Sequence, residues 1–234
     1  NNTAVGSQAL YSYNPASDDE GKNTAVGRTA GYTISTGTEN TYIGESAGYY
    51  NSTGDNNVAI GQNAGGANAV GSNSQNTAIG TQALHKMTTG TDNATLGYIA
   101  GNEITDGTQN TIIGSQAGTN DVNLTTGDYN TIIGAAADVS IADAQNQIAI
   151  GFNAIGHGNN IAVIGDTNVT AWHPGANNSV DLGSPSYRFA NVYTSDLHLK
   201  NEKGDWTVEE GEDDLFITNN KTGKKFKFKL EEVT

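Results

Sequence analysis

The sequence predicts an all-β protein: a β-solenoid, in which the chain winds in short stacked coils, followed by a small antiparallel β unit. Three observations support this fold class. A motif recurs nine times with a base period of 17 residues, the composition disfavours helices, and apolar and charged residues alternate near the carboxyl terminus. A repeat of this length is too short for two helices and fits one solenoid coil.

The composition of the 234 residues excludes several classes of protein. The chain contains 30 Gly, 29 Asn and 28 Thr, all of low helix propensity, and no cysteine, so disulfide frameworks and thiolate chemistry are excluded. Its formal net charge of −14 argues against nucleic acid as a partner, because phosphate binding needs a basic surface. No apolar run is long enough for a membrane-spanning helix, so no membrane insertion is expected.

The repeat has the form Asn-Thr-x-Ile/Val-Gly-x-x-Ala, and its nine copies begin between Asn2 and Gln147. Five of the eight steps between the motif glycines are 17 residues, and the others are 19, 20 or 21. The longer steps add residues between the Ala of one copy and the Asn of the next. Three regular copies show the four columns: Asn40, Ile43, Gly44 and Ala47; Asn57, Ile60, Gly61 and Ala64; Asn110, Ile113, Gly114 and Ala117.

The spacing assigns a structural role to each column. We expect two strands and two turns per coil, with Thr and Ile/Val on one face of the first strand because side chains alternate. The Ile/Val column is expected to stack as an apolar ladder lining the coil. The Gly and Ala columns mark places where another backbone comes close, and the Asn column is expected to bond from coil to coil through its amides.

Each coil offers too few large apolar residues to stabilise itself, so we expect a homo-oligomer. Burial of apolar surface is the main favourable term in folding, and the ordering of a 17-residue coil opposes it. Association of several chains would supply the missing burial. We place the Ala and Gly columns at or near the contact between chains.

The pattern Asn-Thr-Ala-Ile-Gly-x-x-Ala-Gly resembles the head repeat of trimeric autotransporter adhesins, and it is similar to repeats of that kind in bacteriophage tail-fibre proteins. The resemblance covers about residues 2–165. It implies a left-handed parallel β-roll with three chains around one axis, and therefore a homotrimer. Units of the family are usually shorter than 17 residues, so larger surface loops are expected here.

Domain organisation follows from the end of the repeat: we predict a repeat domain at 1–165, a junction at 166–178 and a small β domain at 179–234. In the last part, 215–218 and 225–230 predict a β-hairpin in which Phe226 and Phe228 alternate with lysines, and Trp206 belongs to a preceding strand. A further segment resembles one common near the carboxyl ends of phage fibre proteins; its matching residues are Leu182, Gly183, Ser184, Arg188, Phe189 and Tyr193.

Catalytic and metal motifs are not found in the sequence, and we predict no enzyme, no cofactor and no metal site. The four histidines His85, His157, His173 and His198 are scattered, whereas a metal site needs two or three that converge. The adjacent acids Asp18, Asp19 and Glu20 could supply the carboxylate pair of a polysaccharide-cleaving spike. A run of acids in a loop is more typical of a solvated insertion.

Variable loops on a fixed scaffold are the expected place for binding. Tyrosines there offer flat apolar area with a polar end, which suits glycan or protein contacts. The candidate receptor-binding residues are Tyr11, Tyr13, Tyr49, Tyr50, His85 and Tyr129.

We therefore predict a non-enzymatic structural fibre protein of a tailed bacteriophage, located in the virion. Its expected partners are itself, other tail or fibre proteins, and a glycan or protein of the host surface. The first alternative is the head of a bacterial trimeric adhesin at the cell surface. The second is a polysaccharide-cleaving tailspike.

Overall fold

The computed structural model describes residues 1–14, 21–66, 70–175 and 180–228, and these parts contain fourteen strands and no helix. Ten three-residue strands form one parallel sheet in chain order. They are β1 Thr3–Val5, β2 Thr24–Val26, β3 Thr41–Ile43, β4 Val58–Ile60, β5 Thr77–Ile79, β6 Ala94–Leu96, β7 Thr111–Ile113, β8 Thr131–Ile133, β9 Ile148–Ile150 and β10 Ala162–Ile164. The all-β prediction and the solenoid of about nine turns are confirmed.

The pairing register of the parallel sheet reproduces the sequence repeat. Tyr42 pairs with Ala25 on one side and with Ala59 on the other, so equivalent motif positions lie directly above one another. A degenerate copy of the motif near Gly165 supplies β10. Another degenerate copy near Gly71 adds no strand to this sheet, and Gly71 forms only an isolated bridge with Asn51.

The second strand expected in each coil is replaced, in the described residues, by a turn-rich segment. This segment is still bonded between coils: the N–H of Gly31 donates to the carbonyl of Ala47 at 2.8 Å, and the N–H of Thr33 to that of Tyr49 at 3.0 Å. A regular strand is interrupted because the residues before each motif Ala and Asn adopt positive φ, as at Ser46 with φ +57°. Left-handed backbone cannot continue an extended strand.

The interior of the solenoid is narrow and is lined by the middle residue of each strand, such as Tyr42 and Ile112, both at most 1% exposed. The expectation that the Ile/Val column lines the coil is wrong, since Ile43 is 38% exposed. Side chains of the turn-rich segment fill most of the interior, so each strand contributes only one inward side chain, its middle residue. The fully buried residues of the turn-rich segment include Ile34, Met87, Ile104 and Leu124.

The Gly and Ala columns have different surroundings. A Cβ at Gly61 would lie 2.6 Å from the carbonyl oxygen of Gly80, so the glycines do mark a close approach, here of the next coil of the same chain. Ala47, Ala64 and Ala117 are fully buried within one chain. The expectation that the Ala column lies at a contact between chains is therefore wrong, because these methyl groups already fill the coil interior.

The Asn column forms the predicted ladder. The Oδ1 atom of Asn93 accepts hydrogen bonds from the backbone N–H and from the Nδ2 of Asn110, both at 3.0 Å. The Nδ2 of Asn110 also donates to the carbonyl of Gly127 at 2.8 Å, which ties the ladder to the glycine turn of the same coil. The buried amides are thus satisfied along the stack.

The chain divides into two compact units, Asn1–Trp172 and His173–Thr234, and this boundary lies inside the segment 166–178. The second unit contains a four-stranded antiparallel sheet in chain order. Its strands are β11 Asp196–Lys200, β12 Asp205–Glu210, β13 Leu215–Asn219 and β14 Lys225–Lys227. The predicted hairpin is β13–β14 and the predicted preceding strand is β12. Strand β11 was not predicted, and Lys229 and Leu230 lie outside the described residues.

The antiparallel sheet has one apolar face. The register pairs Leu197 with Val208 and Val208 with Ile217, and residues two apart share a face. The apolar residues of the face are Leu197, Leu199, Trp206, Val208, Leu215, Ile217 and Phe226, and Glu210 and Asn219 lie at its ends. The predicted alternation of apolar and charged residues therefore holds in β14, although Phe226 is still 48% exposed.

Candidate functional site

The outward side of the ten-stranded sheet is the first candidate surface, and we call it the outer face. It consists of the first and third residues of each strand, which alternate with the buried middle residue. The third residues are Val5, Val26, Ile43, Ile60, Ile79, Leu96, Ile113, Ile133, Ile150 and Ile164. The first residues are Thr in six strands, and Val, Ala or Ile in the other four.

The outer face is uncharged, and its column of third residues is apolar and at least partly accessible along the whole sheet. Exposure of its third residues reaches 56% at Val5 and 50% at Leu96, and no charged residue occurs in either column. Ten strands about 4.8 Å apart make a strip roughly 43 Å long. Soluble monomers rarely expose a continuous apolar surface of several hundred Å², and such a surface marks an interaction site.

A second candidate surface is a stack of tyrosines in the turn-rich segment of the first three coils. The rings of Tyr11 and Tyr32 lie 5.1 Å apart at 3° to each other, and those of Tyr32 and Tyr49 lie 4.8 Å apart at 9°. The ring of Tyr50 meets Tyr49 edge-on at 4.5 Å. We call Tyr11, Tyr32 and Tyr49 the tyrosine column.

The tyrosine column includes one residue that the sequence analysis missed. Tyr32 is not among the predicted binding residues, but all three members lie two residues after a motif Ala, namely Ala9, Ala30 and Ala47. That shared position in the repeat was the available signal. Partial burial and the neighbouring hydroxyls of Tyr32 and Tyr50 raise the pKa of Tyr49.

The other predicted binding residues do not join this cluster. The ring of Tyr13 packs against the core and its hydroxyl is buried, which disfavours a contact role. His85 is half-buried, with its Nδ1 3.1 Å from the carbonyl oxygen of Asn63. Tyr129 is 55% exposed but lies immediately before Asn130, in a different column.

Asp138 is a buried carboxylate that the sequence analysis also missed. Its Oδ2 accepts hydrogen bonds from the N–H groups of Asn120, Asp121 and Val122 at 3.1, 2.8 and 2.8 Å, and its Oδ1 accepts one from Val139 at 2.8 Å. Burial raises the pKa of Asp138, and these backbone hydrogen bonds oppose the rise. The signal was an acid directly after the motif Ala, where the other coils have Gly, Leu or Ile.

The described residues hold no candidate metal cluster, and the acidic run proposed for a tailspike lies outside them. Asp18, Asp19 and Glu20 lie outside the described residues. Within the described ranges, no group of three or more His, Cys, Asp or Glu side chains could hold a metal ion. The same ranges contain no helix of sufficient length and hydropathy to cross a membrane.

No protein-family model matches the chain, and no curated protein matches it significantly. Function must therefore be argued from the exposed columns of the solenoid.

Proposed function

We propose that the protein is a non-enzymatic structural subunit of a bacteriophage tail fibre, which forms a homotrimeric rod and presents loops for attachment to a host surface. The observation that carries the proposal is the outer face, an uncharged apolar strip along the full solenoid. The resemblance of the repeat to trimeric adhesin heads and phage fibres supports the number three.

The outer face fits a contact between copies of this chain. Ile43, Ile60 and Ile79 stand in one column at the strand spacing, so the face has a constant profile along the solenoid. Copies aligned in parallel would bring like columns together at every level, and each coil would add the same contact. Burial of this face supplies the apolar packing that the narrow interior of one chain lacks.

The repetition also suits attachment. The coils are linked by backbone and amide hydrogen bonds at every level, which gives a stiff support for the loops. A trimer would display each loop three times, so weak individual contacts would combine into firm attachment.

The oligomer is tested by sedimentation equilibrium of the full chain, with an expected mass of three times 24.3 kDa. In the test variant, Ile60 and Ile79 of the outer face are both changed to Lys. In the matched control, Gln62 and Thr81 of the same two coils are changed to Lys. We expect the first variant to dissociate into folded monomers and the control to remain assembled. A wild-type monomer, or equal behaviour of the two variants, would contradict the proposal.

Attachment is tested by adsorption of the purified protein to candidate host bacteria. The parent gene distinguishes the settings: neighbouring tail genes support a phage fibre, whereas a membrane anchor in the same gene supports a bacterial adhesin. Release of reducing ends from capsule or lipopolysaccharide during incubation would contradict the non-enzymatic part of the proposal and favour a tailspike.

A further inference from the structure

We propose that the tyrosine column binds an extended, uncharged polysaccharide that lies along the direction in which the coils stack. This inference rests on the attachment function proposed above and names the chemistry of its ligand. Three observations carry it: the orientation of the rings, their spacing and the surrounding charge.

The stacked geometry leaves the ring edges and hydroxyls as the available groups. The rings are parallel within 9°, so the facing sides of Tyr11 and Tyr32, and of Tyr32 and Tyr49, cover each other. The ring of Tyr50 also lies against that of Tyr49, with the centroids 4.5 Å apart and the planes at 63°. A sugar therefore cannot insert between the rings. The hydroxyls of Tyr11, Tyr32 and Tyr49 make no hydrogen bond to other described residues and can each donate and accept one.

The spacing selects the kind of polymer. Successive rings are 5.1 and 4.8 Å apart. A β-strand advances about 3.3 Å per residue, and a nucleic acid strand about 3.4 Å per nucleotide, so neither stays in register with the column. One sugar ring of an extended β-1,4-linked hexopyranose chain advances by nearly one coil. Each ring of such a chain can place a hydroxyl beside one tyrosine.

The charge favours an uncharged chain. The protein carries a net charge of −14, which repels polyanions such as polyuronates. The basic side chain on the coil of Tyr32, Arg28, is paired with Glu45 and does not supply a free cation for an acidic sugar. A neutral glucan or a similar polymer is not repelled by the negative charge of the protein and needs no free cation to bind.

The test uses two glucose hexamers that differ only in linkage. Cellohexaose is β-1,4-linked and extended, whereas maltohexaose is α-1,4-linked and coiled, and both are titrated into the full-length protein by calorimetry. We expect wild-type protein to bind cellohexaose and to bind maltohexaose at least about tenfold more weakly. Cellobiose, which spans too few tyrosines, should also bind more weakly than the hexamer.

The test variant carries Tyr11→Phe, Tyr32→Phe and Tyr49→Phe, which keep the ring stack and remove the hydroxyls. The control carries Tyr98→Phe and Tyr187→Phe, at positions 54% and 84% exposed outside the tyrosine column. We expect the first variant to lose at least about tenfold in affinity for cellohexaose, the size of effect expected for three lost hydrogen bonds. The control should bind like wild type, and both should melt at the wild-type temperature.

Equal affinity for the two hexamers, unchanged affinity in the Phe variant, or no binding of cellohexaose would overturn the inference. Cell adsorption separates this failure from failure of the proposed function. If wild type and the Phe variant adsorb equally to host cells, attachment stands and the polysaccharide site is wrong. If wild type does not adsorb at all, the attachment function itself fails.

Discussion

The side-chain oxygen of Asn40 accepts two hydrogen bonds from Asn57, one from its backbone N–H at 3.0 Å and one from its Nδ2 at 2.9 Å. Asn57 in turn presents its own Oδ1 to the backbone N–H of Asn76 at 3.0 Å. Each Asn is therefore donor to one coil and acceptor for the next. At the ninth coil, Gln147 keeps only the backbone bond to Asn130, and its longer side chain reaches Ser140 instead.

This relationship predicts that Asn57→Asp destabilises the solenoid. Aspartate keeps an acceptor for Asn76 but removes the donor to Asn40 and places two oxygens in contact in a buried position. We expect a loss of about 2–3 kcal/mol in the free energy of unfolding, measured by urea denaturation. The control is Gln62→Ala, at an exposed position in the same repeat. Its free energy of unfolding should change by no more than about 0.5 kcal/mol. Equal stability of the two variants would show that the ladder contributes nothing net.

The second prediction concerns the Gly column. Gly61 has a φ of +131°, which side chains disfavour, and a Cβ there would lie 2.6 Å from both the carbonyl carbon and oxygen of Gly80. The strained backbone and the overlap with Gly80 both cost free energy. Gly61→Ala should therefore lower the free energy of unfolding by at least about 3 kcal/mol or prevent folding.

Gly175→Ala is the control for this substitution, because a Cβ at Gly175 would meet nothing within 4 Å. Its thermal midpoint should equal that of wild type. A melting curve for Gly61→Ala that coincides with wild type would mean that the coils can separate to admit a methyl group.

The sequence was sufficient for features that depend on one chemical group or on the absence of a side chain. The Asn ladder needs an amide at each step, as between Asn93 and Asn110, and the Gly column needs a residue without a Cβ where the next backbone comes close, as at Gly61. Both features were predicted from the sequence. The hairpin β13–β14 followed from alternating apolar and charged residues around a turn.

The side of the strand that faces inward could not be predicted in the same way. Period two places Thr41 and Ile43 together but does not say whether they or Tyr42 point inward, and the continuous apolar Ile/Val column favoured Ile43. The structure buries Tyr42, because Gly31 and Gly48 leave room for its ring and Asn51 donates a hydrogen bond to its hydroxyl at 2.9 Å. These partners lie on the other side of the coil, so the choice depends on tertiary packing.

Neighbouring residues in β7 give a third prediction, which separates the interior from the outer face. Ile112 is fully buried and Ile113 is 39% exposed. Ile112→Ala should leave a cavity and cost about 2–5 kcal/mol in the unfolding of the chain. Ile113→Ala should cost less in a single chain but should weaken the proposed assembly. Chemical denaturation measures the first effect and sedimentation the second; equal effects of both substitutions on unfolding would contradict the assignment of the two faces.

The fourth prediction concerns Asp138, whose carboxylate accepts hydrogen bonds from the backbone N–H groups of residues 120–122. Asp138→Asn replaces one accepting oxygen by an N–H donor, which cannot satisfy the three N–H groups that now point at Oδ2. We expect the free energy of local unfolding to fall by about 1–3 kcal/mol. Amide exchange at residues 120–122 should therefore become faster. Asp121→Asn, at an exposed position in the same loop, should leave those exchange rates unchanged. Exchange that is equally slow in both variants would show that the loop is held by other contacts.

The last prediction is an acid weakening of the antiparallel sheet. A hydrogen bond from Asn220 and the neighbouring Lys200 lower the pKa of Asp205, and Lys225 lowers the pKa of Glu209. A carboxylate whose pKa is lower in the folded state stabilises the fold above its unfolded pKa, about 3.9 for Asp and 4.3 for Glu. That stability is lost as the pH falls through the folded pKa, so the sheet should weaken below about pH 4.

Trp206 lies in β12 and reports on this sheet, provided that Trp172 is replaced by Phe so that only one indole fluoresces. In that background, we expect the urea midpoint reported by Trp206 fluorescence to be lower at pH 3 than at pH 5, on the two sides of about pH 4. The double variant Asp205→Asn, Glu209→Gln should show a smaller fall, because its side chains do not titrate there. Since both carboxylates are partly exposed, high salt should reduce the difference by screening the lysines. A fall of equal size in the double variant would assign the acid sensitivity to other groups.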